Sequence, residues 1–397
     1  AILNARDTAV IGNSTGGYGG GMIVNGDATM VNAEIGGNSA GKWGGGADLD
    51  LGGSLTLINA TVHGNTAGNG GAGVDAWNGA LTIDASTFTG NAASGRGGAI
   101  YMSQASDHLS AIANSIIAGN SAGSEVQGRD LFLAGTDVDF GDNIILGTQA
   151  RTTTGTFALT GANTHELESD EVALWEVFAQ IDGATGGGQV ADNGGAVRTA
   201  ALRLDPLNIA IGGGAALDAA DLDGDGSTAD PLPVGANGAT REGALGSDIG
   251  AHQTALVVNS TLDVTDLSDG VTTLREAIEF AGAGGVHAIT FDANVFAGGA
   301  TITLAEGRLS IFSAMSIDGD VDGDGIGDVT IDGGGLSRVL ALSEGADASL
   351  NGLNVVGGVA SSGGGIHMTG ASMLTLTRSV VSGNAAAGNG GGVEVNA

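Results

Sequence analysis

The sequence predicts an all-β fold, a right-handed parallel β-helix (solenoid) with a short capping α-helix, and three observations carry that reading. A Gly-Asn turn ends at Asn13, Asn38, Asn65, Asn91 and Asn120, in steps of 25, 27, 26 and 29 residues, and returns at Asn384. An apolar side chain stands three residues before each Asn: Val10, Ile35, Val62, Phe88, Ile117 and Val381. Glycine-rich turns lead into short alternating runs such as "GGGADLDL", "GAGVDAW", "GGAIYM", "GGGIHM" and "GGGVEV". A fixed period of a few tens of residues is the mark of a repeat architecture. Alternation marks strands with one buried face, and glycine supplies the corners between them. Helical solenoids need amphipathic 3.6-periodicity, which these coils lack.

The elements follow in chain order. Residues 1–150 read as the C-terminal coils of one β-helix, 151–254 as the closing segment of that β-helix, and 255–397 as a capping helix and the first coils of the next. In the first stretch the column from Val10 to Phe88 fills the core, and the Asn column sits at a bend where each amide bonds the coils above and below. Within "THELESDEVALWEVFAQI" the residues around Glu171–Phe178 have helical character, either as a short helix packed on the rod or as the start of the closing segment. Thr273 and Glu276 form an S/T-x-x-E capping box, with Leu274, Ala277, Ile278 and Ala281 on one helical face, so a short amphipathic helix is expected over the open end of the second stack.

Both ends of the sequence stand in mid-pattern, and the step from Asn384 to the Asn13 of a following copy is 26 residues. The expectation is one period of a tandem array, or one subunit of a fibre whose partners are identical copies or adjacent repeats, head to tail.

Composition narrows the partners. With 12 Lys+Arg against 44 Asp+Glu the net charge is −32, which excludes nucleic acid and anionic bilayers and favours cations. There is no Cys, hence no disulfide or thiolate metal site. No apolar run is long enough for membrane insertion within this segment. No signal peptide opens the sequence, which says nothing about secretion in a stretch that starts in mid-pattern.

Two acidic loops carry the strongest ligand chemistry. "DLDGDG" places Asp221, Asp223 and Asp225 at alternate positions, and "DVDGDG" does the same with Asp320, Asp322 and Asp324. The spacing lets carboxylates converge on a hard cation while the Gly permits a sharp turn. Leu232 and Ile331 stand where an EF-hand has its Glu, so the expected site is a shorter Ca²⁺ loop completed by Asp328 or Asp230. A metal-free Asp/Gly turn is the competing reading. A second feature is the outward column ten residues after each Asn, reading Glu394, Ile23, Asp48, Asp75 and Tyr101. Asp48 and Asp75 fall one strand spacing apart, near the ~5 Å of a retaining glycosidase, but a solvated acidic stripe is the expected role. Trp43 and Trp77 fall on loops of neighbouring coils, where they either stack on a sugar ring or shield a turn. The His residues show no metal-ligand spacing.

"TTLREAI", followed by "ITF" and "VTIDGGG", resembles the CSLREA domain that opens many bacterial surface β-helices, with Thr272 in place of the leading Cys. "DNGGAVRTAALRLDPLNIAIGGG" and "DIGAH" resemble the closing segment called choice-of-anchor Q, and the coils, with "GGAI" and Phe88-x-x-Asn91, are similar in style to polymorphic outer-membrane-protein repeats. The resemblance implies a non-enzymatic structural module of a large extracellular or cell-surface bacterial fibre. A carbohydrate-binding adhesin, with Trp43, Trp77 and the acidic column as contact face, is the alternative, and a polysaccharide lyase or hydrolase the third reading.

Overall fold

The computed structural model describes residues 1–103, 110–124, 127–134, 138–148, 150–153, 156–157, 159, 161–167, 172–193, 195–205, 207–211, 214, 235–237, 248–267, 269, 271–282 and 287–396. They belong to two compact units, Ala1–Arg203 with Leu207–Thr254, and Leu204–Pro206 with Ala255–Ala397. Both are parallel β-solenoids, as the coil period requires.

In the first unit the strand Asp27–Gly36 pairs in parallel with Ile2–Ile11 on one side and with Ser54–Ile58 and Thr61–His63 on the other. Each later coil repeats that path, so Leu55 stacks on Leu81 and Val62 on Phe88. A further sheet runs from Met22–Val24 through Ala47–Leu49, Val74–Ala76 and Ile100–Met102 to Leu131–Leu133. The inward members of the alternation, among them Leu57, Val62, Val74, Leu81, Phe88 and Ile100, are fully buried and form one continuous core.

The Asn column does what its position predicts. The Oδ1 of Asn65 accepts from the backbone N–H and the amide of Asn38 at 2.9 and 3.0 Å, while the amide of Asn65 donates to Ile35 O and to Asn91 Oδ1, both at 2.9 Å. Asn91 repeats the pattern on Asn120, and Asn120 closes the ladder on Asp130 at 2.8 Å. Burial raises the Asp130 carboxyl to about 6 against the hydrogen bonds from Asn120 and Thr148. A second ladder escaped the sequence reading. Asn32, Asn59, Asn114 and Asn143 turn the corner between two strands with φ of 51°, 56°, 45° and 59°, and Asn59 and Asn143 donate to the Asn one coil back at 2.6 and 2.8 Å.

The described part of 165–254 packs on the outside of this stack. Ile116 and Ile145 from the coils meet Leu167, Val177, Phe178, Leu202 and Ile249 in a second apolar cluster. The helix in "VALWEVF" is one turn, Leu174–Val177, and lies in that cluster. The same cover buries charge: Glu34, 3% exposed, takes Arg198 and His63 as partners. Burial works to raise the Glu34 carboxyl, but the His63 imidazole and the Arg198 guanidinium outweigh it and hold it at about 2.

In the second unit the helix Leu274–Gly282 sits against Leu256–Val258, His287–Phe291 and Leu309–Ile311. Its capping box forms as predicted, Thr273 N–H donating to Glu276 at 2.8 Å and Glu276 N–H to the Thr273 hydroxyl at 3.2 Å. Leu274, Ala277, Ile278 and Ala281 are buried. The adjacent Arg275 is clamped to Asp263 by two bonds of 2.8 and 2.9 Å, and Asp263 also accepts from Ala305 and Glu306 N–H. Among the described residues no helix is long and apolar enough to cross a membrane.

Candidate functional site

Parallel coils hold equivalent residues in columns, and three columns meet at one cleft of the first unit. Along the sheet Met22–Val24, Ala47–Leu49, Val74–Ala76 and Ile100–Met102 the outward positions are Ile23, Asp48, Asp75 and Tyr101 in register. Five residues earlier in each coil stand Tyr18, Trp43, Gly70 and Arg96, and two residues later Asp50 follows Asp48 and Trp77 follows Asp75. Tyr18, Trp43, Asp48, Asp50, Asp75 and Trp77 line a cavity of about 370 Å³.

Local backbone chemistry sets the geometry. Gly44 precedes the Asp48 strand with φ of 66°, a left-handed turn that a side chain resists, and a Cβ there would strike Asp48. Gly70 has another reason to lack a side chain: a Cβ would come within 2.6 Å of the Trp43 ring, so Trp43 lies over its neighbour's bare backbone. Tyr101, 4% exposed, sets the aromatic wall. Its ring is stacked with Trp77 at 6.4 Å and 7° and with Phe132 at 5.7 Å and 3°, and Trp43 tilts against it at 4.8 Å. Trp77 and Tyr18 keep about half their surface in solvent, at 53% and 46%.

The acid column is not the solvated stripe that alternation suggests. Asp48 and Asp75 are 5% and 2% exposed, because the rings of the flanking columns fold over the strand. The two carboxyls stand in register on neighbouring strands, close enough for each to perturb the other. Burial first, then the Asp48 hydrogen bond and the charges of Asp48 and Asp50, push Asp75 up to about 9. Asp48 is also raised, by burial and the charge of Asp50, against the stabilising hydrogen bond to Asp75. The Oδ1 of Asp75 is buried without a hydrogen-bond partner.

Of the calcium-loop residues, Asp221, Asp223 and Asp225, with Asp230, lie outside the described residues. In the other loop Asp320, Asp322 and Asp328 bring carboxylate oxygens within 4.8 Å of one another. Asp324 is not in that group, and its carboxylate accepts from Ile326 N–H at 2.7 Å. Asp328 accepts from Val321 and Asp322 N–H, and the Arg378 guanidinium stands 3.3 Å from Asp320, supplying one positive charge to the cluster.

Sequence reasoning grouped Trp43, Trp77 and the acidic column as an alternative contact face, and Trp43, Asp48, Asp75 and Trp77 do line one cavity. It missed Tyr18 and Asp50, which the same bookkeeping of offsets reveals once the columns −5 and +2 are written beside the acid column. No family model, no curated protein and no solved structure matches this chain.

Proposed function

We propose that the chain is a non-enzymatic structural solenoid of a bacterial surface or secreted protein, and that the cleft of its first unit binds carbohydrate. One observation carries the reading: aromatic faces at Trp43, Trp77 and Tyr18 flank buried carboxyls, one of which keeps an unsatisfied acceptor. Sugar rings have apolar faces that stack on indoles and hydroxyls that donate to carboxylates, and binding sites combine a few fixed polar groups with such walls. A panel of oligosaccharides tests it: the chain retains at least one class, Trp77→Ala abolishes retention, and no reducing ends appear. Retention of nothing, or retention indifferent to Trp77→Ala, defeats the proposal.

A second reading is end-on stacking of like coils, favoured by the coil period that both units share. Leu374, Leu376, Val381, Val393 and Val395 stand in the last coil of the second unit. A step of 26 residues onto a following copy would place them on Leu3, Ala5, Val10, Met22 and Val24, and Asn384 on Asn13. Electron microscopy and sedimentation decide, with rods expected and a monomer at every concentration as the contrary result. Calcium is the proposed occupant of the loop Asp320, Asp322 and Asp328.

A further inference from the structure

We propose that the cleft selects a protonated amino sugar, seating the ammonium among Asp75, Asp48 and Asp50. The inference rests on the carbohydrate reading and names the class of sugar. Its ground is the mismatch between what the cleft offers and what the empty cleft can satisfy.

Asp75 is 2% exposed and its Oδ1 has no donor. A buried acceptor without a partner costs free energy that a donor in a ligand recovers. An ammonium brings three donors and one positive charge. The groups that face the pair from the surrounding elements are Asp50 beyond the end of its own strand, Tyr101 from the next coil and Ile23 from the preceding one. Of the basic groups nearby, Arg96 is stacked over Phe132 and Lys42, the chain's single lysine, places its ammonium 4.9 Å from the Tyr18 ring centre. Neither supplies a hydrogen bond to the Asp75 Oδ1.

The ligand is larger than an ion. Among the described residues only Asp320, Asp322 and Asp328 bring three carboxylate atoms within 4.8 Å of one another, so Asp48, Asp50 and Asp75 do not close on a point. They line a cavity of about 370 Å³ with indole faces at its sides, where a cation is also attracted by the ring quadrupole. A uronate would place like charge beside three carboxyls in a chain of net charge −32. An N-acetylated sugar stacks on the same rings and brings no charge.

Charge and protons balance. Burial pushes the Asp75 carboxyl up to about 9 and keeps its proton in place through neutral pH. When the ammonium enters, that carboxyl ionises, its negative charge meets the positive one, and the proton passes to solvent. The linkage makes affinity rise with pH while the amine stays protonated.

Calorimetry with β-linked glucosamine oligomers, their N-acetylated counterparts and uronate oligomers, each in two buffers of different ionisation enthalpy, tests this. The expected result is roughly tenfold or more tighter binding of the amine form, with release of about one proton per site. Asp75→Asn abolishes the proton release and the preference for the amine form. Asp50→Asn, at the half-buried edge, weakens the preference and guards against a fold defect in the first variant. Equal or tighter binding of the N-acetylated form, or no proton release, overturns the amino-sugar inference and leaves the carbohydrate reading standing. Binding of no oligomer defeats both.

Discussion

The outward column that holds Asp48 and Asp75 in the first unit has a counterpart in the second, and the two are occupied differently. In the second unit Ala341, His367 and Glu394 stand in register on Leu340–Leu342, Ile366–Thr369 and Val393–Asn396. His367 and Glu394 each follow a positive-φ glycine by four residues, as Asp48 and Asp75 do. There the carboxylate faces an imidazole, His367 Nε2 lying 3.4 Å from Glu394, and no second acid competes for a proton. The flanking positions are Ser362 and Asn389 before it and Thr369 and Asn396 after it, where the first unit has Trp43 and Trp77. The scaffold is therefore indifferent to what stands on its outer face, since only the inward half of the alternation makes the core. What is particular to one unit lies in departures from the repeat.

Four experiments break or sharpen that contrast, and all three tryptophans, Trp43, Trp77 and Trp175, report on the first unit alone. The largest effect is expected from Asn65→Ala. It strips two buried donors on Asn38 of their acceptor and removes two bonds that Asn65 itself donates, a loss of about 3–5 kcal/mol in urea denaturation. Asn384→Ala in the second unit, on a rung that solvent reaches, costs about 1 kcal/mol. Equal losses would mean that the ladder's continuity adds nothing.

Next comes the pH dependence. The folded pKa of Asp75, about 9, lies above the ordinary 3.8, so between these values the folded chain binds more protons than the unfolded one. Its contribution to stability therefore falls as pH rises through that window, and Asp75→Asn raises the melting temperature of the first unit more at pH 8 than at pH 5. Glu34 acts oppositely: with its pKa lowered from 4.5 to about 2, its contribution is complete above 4.5 and is lost as pH falls toward 2. A smaller effect is expected from Gly70→Ala, whose methyl displaces the Trp43 ring. The fluorescence should shift and sugar affinity should fall roughly tenfold, and the first unit should lose stability as well, because the same methyl meets the Arg96 backbone carbonyl. Smallest is calcium on the loop at Asp320, in part because Arg378 already sits there. Calcium at about ten times its dissociation constant adds about 1.4 kcal/mol to the second unit, an increment that Asp328→Asn removes. No shift in melting would retire the calcium reading.

Much of the architecture could be read from the chain. Val62, Phe88 and Asn65 announce their places because every coil repeats the same step, and Thr273 with Glu276 announces a helix start because capping is a local exchange of bonds. The candidate site was legible only in pieces. Asp48 and Asp75 were visible as a pair, but alternation says only that a side chain leaves the core, not that Trp43, Trp77 and Tyr101 then cover it. Asn32 and Asn59 went unread because the column breaks at Ala85. Glu34 gave no signal at all, since its partner Arg198 stands 164 residues away.

By itself the sequence determined the coil: its period, its inward column, its glycine corners and the Asn ladder, all of which depend on contacts between a residue and its equivalent one turn away. The tertiary structure alone decided which outward residues leave solvent, and so where charge is stored. That Asp75 keeps its proton while Glu34 loses its own follows from what lies over each, an indole wall in one case and a guanidinium in the other. The free energy of a charge is set by its surroundings in space, which a one-dimensional period does not encode.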